Sequence, residues 1–288
     1  MDFAVLGGDA RIVRMCHLLT ADGHTVRCCG LDKAPGAAAL SQQSTPETAV
    51  AGADCVVLPL PVRGGPGLLN TPLSDQELPL ERVFGAVTPG QLVCAGMVDG
   101  ETLALATARG LELRDYYRRE ELAVMNAVAT AEGAIALLIR DTAITLWDAR
   151  VLVLGFGRVG KLLAQRLRGL GARVSVSSRR CGDMAWCRAL GYEALDTRTL
   201  EGRLADFDVV VNTIPARVLE EARLRELKTD ALVLDLASRP GGTDFPAASR
   251  LGVRAVWALS LPGEVAPVSA GAIIRDTIYN IIKEQEDG

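Results

Sequence analysis

The strongest chemical signal in the sequence is a GxGxxG motif that directly follows the apolar run VLVL at 151–154. In this spacing the first glycine permits a tight turn, the second lets backbone N–H groups approach a pyrophosphate, and the third lets a helix pack closely on a strand. The N-terminus of that helix adds partial positive charge. The motif therefore predicts a dinucleotide site, and the alternative is a glycine turn kept only for packing. The cofactor-binding residues predicted here are Gly155, Gly157, Arg158, Val159 and Gly160.

The end of the next predicted strand, which starts at Arg173, bears on the choice between NAD and NADP. NAD-binding units tend to place Asp or Glu about 20 residues beyond the glycines, where it accepts hydrogen bonds from the ribose. This chain has SSRR there, and hydroxyl and guanidinium groups suit a 2′-phosphate. The sequence therefore predicts NADP as the cofactor, with NAD as the other possibility. The alternative is that the two arginines are a solvent-exposed basic pair that binds no ligand. The predicted contacts are Ser177, Ser178, Arg179 and Arg180.

Two later turns, NTIP and SRPGG, each follow a predicted strand and carry polar groups. We expect the first to lie beside the nicotinamide ribose. Two glycines with a serine and an arginine make the second a backbone-rich anion cradle, suited to a carboxylate; a plain strand-to-helix connection is the alternative. The predicted contacts are Asn212, Thr213, Ile214 and Pro215 for the cofactor, and Ser238, Arg239, Gly241 and Gly242 for the substrate.

Two further candidates lie outside these turns. Arg11 stands in the first turn of a predicted helix that Asp9 can cap, where a guanidinium and backbone N–H groups could hold an anion together. A solvent-facing role is the alternative. Glu132 precedes Gly133 in a long apolar helical pattern over 119–146, and it is the candidate proton acceptor. A helix break between two packed helices is the alternative there, and solvent could take the proton instead.

Composition argues against several other classes. The chain has seven cysteines without a CxxC pair and two histidines, so we expect free thiols, no metal site and no Ser-His-Asp triad. A formal net charge of −4 argues against general nucleic-acid binding. We find no apolar run of bilayer-spanning length and no secretory signal, so we expect no membrane association and a cytoplasmic location.

The predicted elements place these residues in two α/β domains. A strand, glycine turn, helix and strand occur in this order both at the N-terminus and around the GxGxxG motif. We therefore predict two doubly wound Rossmann-like domains joined by a long interdomain helix, with a C-terminal helix that returns to the first domain and ligands bound in a cleft. The predicted ranges are 1–120 with 267–288 for a substrate domain, 121–148 for the helix and 149–266 for the NAD(P)-binding domain. Residues 70–89 are expected to be irregular.

Several longer motifs resemble those of one family, formed by the A subunit of dipicolinate synthase. The block LASRPGGTDF is far more distinctive than a glycine fingerprint. The matching segments run through almost the whole chain: GGDAR at 7–11, TAEG at 130–133, LGFGRVG at 154–160, NTIP at 212–215, LDLASRPGGTDF at 234–245 and LPGEVAP at 261–267.

The resemblance implies oxidation of dihydrodipicolinate to dipicolinate, with NADP as hydride acceptor, in the mother-cell cytoplasm of a sporulating bacterium. It also implies a flavoprotein-like partner, the B subunit of dipicolinate synthase. Loss of a hydride and a proton leaves an aromatic ring, so the protein must chiefly orient the ring and anchor two carboxylates. The expected anchors are Ser238, Arg239 and the Gly241–Gly242 backbone, with Arg11 reaching from the opposing domain.

Two other functions stay open on the sequence. One is a non-catalytic NADP-binding subunit that positions a partner flavoprotein. The other is a different two-domain NADP-dependent dehydrogenase of a small carboxylate, although the second half of the chain lacks the histidine that 2-hydroxy-acid enzymes usually need. A homo-oligomer is also left open.

Overall fold

The computed structural model describes residues 1–287, which form two compact units. Unit 1 comprises Met1–Asn126 and the chain from Ala266 onward, and unit 2 comprises Ala127–Val265. Each unit is built on a six-stranded, all-parallel sheet with helices between its strands. The predicted fold class, two Rossmann-like α/β units, is confirmed.

Unit 1 begins with eight strands and four α-helices. The strands are β1 (Asp2–Leu6), β2 (Thr25–Cys29), β3 (Ser41–Gln42), β4 (Cys55–Val57), β5 (Arg63–Gly65), β6 (Leu68–Leu69), β7 (Leu92–Ala95) and β8 (Leu113–Asp115), and the helices are α1 (Ala10–Ala21), α2 (Pro46–Val50), α3 (Leu80–Ala86) and α4 (Gly100–Thr107). The sheet order is β3-β2-β1-β4-β7-β8, and β5 and β6 form a separate hairpin. The strand order reverses between β1 and β4, which is where doubly wound sheets place their loops for ligands.

Helix α3 corrects the expectation of irregular structure over 70–89. Leu80, Val83 and Phe84 are fully or almost fully buried and pack on one face of the sheet. Their spacing is helical, but the helix has seven residues and follows Pro79. A segment this short shows one apolar turn rather than a periodicity, so the sequence pattern was too brief to recognise.

Helix α5 (Glu120–Asp141) is shared by the two units. Leu122 lies in the core of unit 1, and Ala131 and Leu138 lie in the core of unit 2. The helix runs through Gly133 without a break, so the alternative of a helix break at this step is wrong. A Cβ there would lie 3.1 Å from Val265 Cγ2, which shows that the glycine admits a close neighbour.

The same helix corrects the expectation that no apolar run is long enough to cross a bilayer. Helix α5 meets that criterion by length and composition, with a mean hydropathy of 1.9 over its most apolar 18 residues. Within that window, 39% of the residues are buried inside the protein. The buried positions named above belong to the cores of the two units.

Unit 2 continues with six strands and five helices. They are β9 (Arg150–Leu154), α6 (Arg158–Gly169), β10 (Arg173–Ser178), α7 (Cys181–Ala189), β11 (Glu193–Asp196), β12 (Val209–Asn212), α8 (Glu221–Leu224), β13 (Leu232–Asp235), α9 (Phe245–Leu251), β14 (Arg254–Trp257) and α10 (Leu261–Val265). The sheet order is β11-β10-β9-β12-β13-β14. The order reverses between β9 and β12, so the loops after these two strands flank the crevice where such sheets bind dinucleotides.

Residues at the carboxyl ends of the unit 2 strands align in one row across the sheet, which we call the terminal row. Leu154 pairs with Ser177 on one side and with Asn212 on the other. Asn212 in turn pairs with Asp235, and Asp235 pairs with Trp257. Neighbouring strands lie about 4.8 Å apart, so the whole row spans roughly 20 Å. The loops that leave this row carry most of the predicted site residues.

The C-terminal helix, α11 (Pro267–Glu286), belongs to unit 1. Its isoleucines include Ile274 and Ile278, which are 1% and 0% exposed in the core of that unit. A Cβ on Gly271 would lie 2.5 Å from the Arg11 carbonyl oxygen, so this glycine lets α11 approach α1 closely. The predicted return of the C-terminal helix to the first unit is confirmed.

Candidate functional site

The glycine turn after β9 has the geometry that its motif predicts. Gly155 has φ of +100°, a conformation that side chains disfavour. A Cβ on Gly160 would lie 2.2 Å from the Gly155 carbonyl oxygen, so only glycine lets α6 start this close to the strand. A Cβ on Gly157 would meet nothing within 4 Å. The turn is therefore closely packed against the rest of the protein at Gly155 and Gly160, and it is open at Gly157.

The N-terminus of α6 has no side-chain cap. Gly157 is its N-cap residue and supplies no side-chain acceptor. In unit 1, by contrast, Asp9 caps α1 and accepts the Arg11 backbone N–H at 3.0 Å. Uncapped N–H groups at a helix start bind anions, and the helix dipole adds positive potential. Val159 and Gly160 lie in this first turn, next to the open space at Gly157.

Positive side chains lie in the first turn of this helix and in the loop that follows the neighbouring strand β10. Arg158 is exposed in the first turn of α6, and Lys161 lies with its Nζ 5.2 Å from the Phe156 ring centroid. Arg179 and Arg180 are exposed just after β10, and neither guanidinium has a hydrogen-bond or ion-pair partner within residues 1–287. The sequence reading missed Lys161, although its place in the first turn after the motif is a usable signal.

The two predicted serine contacts are corrected by the structure. Ser177 is 0% exposed, and its hydroxyl accepts a hydrogen bond from Thr197 Oγ1 at 2.9 Å. Ser178 is almost buried; its hydroxyl donates to Asp183 Oδ2 at 2.9 Å and accepts from the Arg180 backbone N–H at 3.2 Å. Both hydroxyls are therefore used within the protein, because the loops after β10 and β11 close over them.

Two titratable groups near the end of β10 have shifted pKa values. Hydrogen bonds from the Arg198 side chain and backbone lower the pKa of Asp196 to about 2. Burial raises the pKa of Cys187, on α7, to about 11. The thiol therefore stays protonated at neutral pH, and the charge of Asp196 is compensated by Arg198. Neither group therefore contributes an uncompensated negative charge that would repel an anion bound at Arg179 and Arg180.

The turn after β12 is held by Asn212, which corrects the prediction that this residue contacts the cofactor. Asn212 is 0% exposed, and its Nδ2 donates to Ile214 O at 3.0 Å and to Asp235 Oδ1 at 2.8 Å. Its Oδ1 accepts the Ile214 backbone N–H at 3.1 Å. Thr213 is half-buried, and its hydroxyl donates to Leu154 O at 2.8 Å. Ile214 remains half-buried and Pro215 exposed at the crevice.

The segment 237–242, which we call the substrate turn, does not form the predicted backbone anion cradle. The Gly241 N–H donates to Ser238 O at 2.8 Å, and the Gly242 N–H donates to Asp235 Oδ2 at 2.8 Å. Both glycines are buried, so neither N–H is available to a ligand. Asp235 is 0% exposed and also accepts the Ala237 N–H at 3.0 Å.

Asp235 is the main structural residue that sequence reasoning missed. A buried carboxylate must have its oxygens hydrogen-bonded, and here the donors are two backbone N–H groups and the Asn212 amide. A usable signal existed, since both LVLD and VVVN end an apolar strand with a polar residue. The pairing of the two strands brings those last residues together.

Ser238 and Arg239 project from the substrate turn into solvent. The Arg239 Cζ lies 5.8 Å from the Trp257 ring centroid, and the guanidinium has no ion-pair partner among the residues that the structure describes. Trp257 Nε1 donates to Ala237 O at 2.9 Å. Of the predicted substrate contacts in unit 2, these two side chains are the ones left available.

Arg11, in unit 1, already has a counter-ion. Its guanidinium donates to the Asp9 carboxylate, with the shortest distance 2.7 Å, and to Leu60 O at 2.5 Å. The side chain is 12% exposed. Because the Asp9 carboxylate caps α1, it takes the place that an external anion would occupy. The predicted anion contact at Arg11 therefore gains no support from the structure.

Glu132, the predicted proton acceptor, lies away from the glycine turn. Its side chain is 60% exposed, and Oε1 lies 3.6 Å from Arg166 on α6. Arg166 is eight residues beyond Arg158, or about 12 Å along the helix at 1.5 Å per residue. The structure therefore does not bring Glu132 to the open end of α6, because α5 packs it beside the second half of that helix.

Comparisons with known proteins match two segments of the chain to family models. Residues 2–117 match the family model for the N-terminal domain of the dipicolinate synthase A subunit. Residues 104–240 match the family model for the NAD binding domain of D-isomer specific 2-hydroxyacid dehydrogenases. The second match includes the glycine turn, the β10 end and the start of the substrate turn.

Among characterised sequences, the A subunit of dipicolinate synthase from Bacillus subtilis (strain 168) is 32% identical over 99% of this chain and 96% of its own length. Glyoxylate reductase of Thermococcus kodakarensis is 29% identical over 56% of this chain and 47% of its own.

Among solved structures, the dipicolinate synthase A chain from Bacillus subtilis superposes with a TM-score of 0.90 at 31% identity, covering 100% of this chain and 98% of that one. The corresponding chain from Bacillus halodurans gives a TM-score of 0.89 at 30% identity, covering 97% of each chain. A transhydrogenase from Sinorhizobium meliloti gives 0.70 at 18% identity, over 98% of this chain and 93% of that one, which shows a shared fold alone.

Proposed function

This chain belongs to the family of the dipicolinate synthase A subunit, and from that premise we propose that it oxidises dihydrodipicolinate to pyridine-2,6-dicarboxylate with NADP as hydride acceptor. Its second unit carries a dehydrogenase-type NAD-binding domain, so the chain is an NAD(P)-dependent oxidoreductase subunit. The observation that carries the proposal is the uncapped start of α6 beside the open Gly157, within that domain.

In this proposal the backbone at Gly157, Val159 and Gly160 holds the pyrophosphate of the cofactor, and Arg179 and Arg180 hold a 2′-phosphate. The preference for NADP is supported by these two unpaired guanidinium groups within the described chain and by the compensation of the nearby Asp196 charge by Arg198. When bound, the nicotinamide supplies a hydride acceptor. The protein supplies the charge and the backbone donors that fix its position.

For the substrate, we assign Ser238 and Arg239 as carboxylate contacts. A guanidinium can bind a carboxylate through two parallel N–H bonds, which also sets the orientation of the attached ring. Since the product is aromatic, the chemical requirement on these residues is to bind and orient the substrate rather than to stabilise a high-energy intermediate. Glu132 is paired with Arg166, so we assign the released proton to solvent rather than to a side chain.

We further propose that the chain acts with a flavoprotein-like second subunit in the cytoplasm of a sporulating mother cell. Its relatives are named as one subunit of a synthase, which supports a partner. All seven cysteines are free, and six of them are buried, which suits a reducing compartment. The alternative is a non-catalytic subunit that binds NADP and positions a catalytic partner.

The experiment that tests the function combines freshly generated dihydrodipicolinate with NADP or NAD, with and without the partner subunit. We would follow NADPH formation together with the ultraviolet absorption of pyridine-2,6-dicarboxylate. Turnover by the chain alone, faster with NADP, is the expected result. Product that appears only with the partner, without reduced nicotinamide, would instead make this chain the binding half of a shared site.

A further inference from the structure

The substrate turn is fixed from two sides by residues of the terminal row. Below it, the buried carboxylate of Asp235 accepts the Ala237 and Gly242 N–H groups. Beside it, Trp257 Nε1 donates to Ala237 O at 2.9 Å, and ring atom Cζ2 lies 3.1 Å from where a Cβ on Gly241 would stand. The turn is thus held by side chains from β13 and β14 rather than by its own sequence alone.

Trp257 is itself held in a fixed orientation. Its ring stacks on Phe245, with centroids 5.4 Å apart and planes 19° from parallel, while Nε1 is bonded to Ala237 O. Two contacts at different points of the indole leave its plane little freedom. The face that meets Arg239 is therefore a rigid aromatic surface, with the guanidinium carbon 5.8 Å from the ring centroid.

A guanidinium held by an aromatic ring keeps its N–H donors available, unlike one held by a carboxylate. An ion pair uses the in-plane N–H groups of a guanidinium, whereas an aromatic ring attracts the positive charge without using those donors. Arg239 has no acidic partner among residues 1–287, so its charge is not neutralised. An exposed arginine otherwise loses considerable rotamer entropy when it binds a ligand. Contact with a fixed ring reduces that loss before the ligand arrives.

We propose that Trp257 is a positioning residue, which acts through Arg239 to prepare a receptor for one carboxylate of a small dicarboxylate. The identity of that ligand rests on the proposed function. The affinity of the site then depends on an aromatic face which does not itself bind the substrate.

The first test follows the emission of Trp257 while pyridine-2,6-dicarboxylate is added. The chain has three tryptophans, and Trp147 and Trp186 are 72% and 63% exposed, so the W147F/W186F background leaves Trp257 as the single reporter. Excitation at the red edge of tryptophan absorption avoids the ligand. We expect a saturable change that R239M abolishes and that pyridine-3-carboxylate reproduces only weakly. Calorimetric binding without any change in emission would overturn the proposal.

The second test compares W257F, which keeps an aromatic face, with W257L, which removes it. We expect W257L to raise the Kd for pyridine-2,6-dicarboxylate roughly two- to fivefold, given the usual strength of an exposed cation–π contact. W257F should raise it less than W257L does, because phenylalanine keeps an aromatic face and loses only the Nε1 bond to Ala237 O. In the R239M background W257L should add nothing further. If the two effects instead multiply, Trp257 only supports the fold and the positioning role is wrong.

Two measurements separate failure of this inference from failure of the proposed function. NADP affinity and thermal unfolding of each variant report whether the fold survives, and W257F provides a folded aromatic control should W257L unfold. Turnover of dihydrodipicolinate by the unaltered chain is measured in parallel. Turnover with a Kd insensitive to W257L overturns the positioning role alone, whereas the absence of both turnover and dicarboxylate binding overturns both proposals.

Discussion

At the residue scale, Arg179 and Arg180 are the proposed cofactor contacts that are easiest to test. Both are exposed without side-chain partners in the described chain, so replacing them leaves no acceptor unpaired. We expect R179A/R180A to raise the Kd for NADP about 10- to 100-fold, because a hydrogen bond to a charged group is worth about 1.5–3 kcal/mol and solvent exposure reduces this. Affinity for NAD should change less than threefold.

Calorimetric titration with each cofactor at one ionic strength measures this difference. Arg188, exposed at the other end of α7, provides a matched control, and R188A should leave both affinities unchanged. An equal loss for NAD and NADP would mean that the two arginines contribute general positive potential and do not recognise the 2′-phosphate.

At the element scale, the close contact between α6 and the end of β9 requires that residue 160 has no side chain. A Cβ on Gly160 would lie 2.2 Å from the Gly155 carbonyl oxygen, and backbone cannot give way as a flexible side chain can. We expect G160A to lower the free energy of unfolding by about 2–3 kcal/mol and to weaken NADP binding, since the helix start must shift away from the turn. Urea denaturation monitored by circular dichroism measures the first effect.

Gly169, the last residue of the same helix, is the control. A Cβ there would meet nothing within 4 Å, so G169A should be neutral or stabilising by up to about 1 kcal/mol through reduced freedom of the unfolded chain. Equal stability of G160A and G169A would contradict the close-packing role.

Also at the element scale, Asp208 joins β9 to the loop before β13. Its carboxylate accepts the Arg150 N–H at 2.8 Å and the Lys228 ammonium at 2.6 Å. Partial burial raises the pKa of Asp208, but Lys228 and the Arg150 N–H outweigh burial and hold that pKa below its usual range. A carboxyl whose folded pKa lies below the unfolded one stabilises the fold above the unfolded pKa.

The stabilisation from Asp208 should therefore be present at pH 7 and be lost as pH falls below about 4, the ordinary value for aspartate. We expect D208N to have a lower Tm than the unaltered chain at pH 7, with the gap shrinking as pH falls through the folded pKa. Calorimetric scans at pH 7, 5 and 3 measure the gap. A gap that stays constant over this range would show that the Asp208 charge does not contribute.

At the scale of the whole molecule, each unit has its own core and the residues assigned to NADP all belong to unit 2. Ile278 is 0% exposed in the unit 1 core, so we expect I278A to lower the free energy of unfolding of unit 1 by about 2–4 kcal/mol. We expect the Kd of I278A for NADP to be unchanged. NADP at about 100 times that Kd should raise the free energy of the opening that exposes unit 2 amides to exchange by up to about 2.7 kcal/mol.

Hydrogen exchange with and without NADP measures the two effects separately. Ile139 is 61% exposed, so I139A serves as a control that should change neither stability nor binding. A fall in NADP affinity that parallels the loss of stability in I278A would contradict the assignment of the cofactor to unit 2 alone.

Features that depend on neighbours along the chain could be predicted from the sequence. Gly155 and Gly160 act within one turn, and the Asp9 cap acts within the first turn of its helix, so their roles follow from spacing. The order of apolar strands and amphipathic helices likewise predicted two parallel sheets, because each burial pattern is local. The short helix α3 was missed, since seven residues carry too little periodicity.

Which polar groups face a ligand depends instead on long-range packing. Asn212, Asp235 and Trp257 are far apart in the chain, and strand pairing places them side by side in the terminal row. There Asn212 and Asp235 form hydrogen bonds with each other and with the backbone. The Asn212 amide and the Gly242 N–H are therefore not available to a ligand. The physical reason is that a polar group is available only if no nearer partner satisfies it, and the tertiary fold supplies that partner.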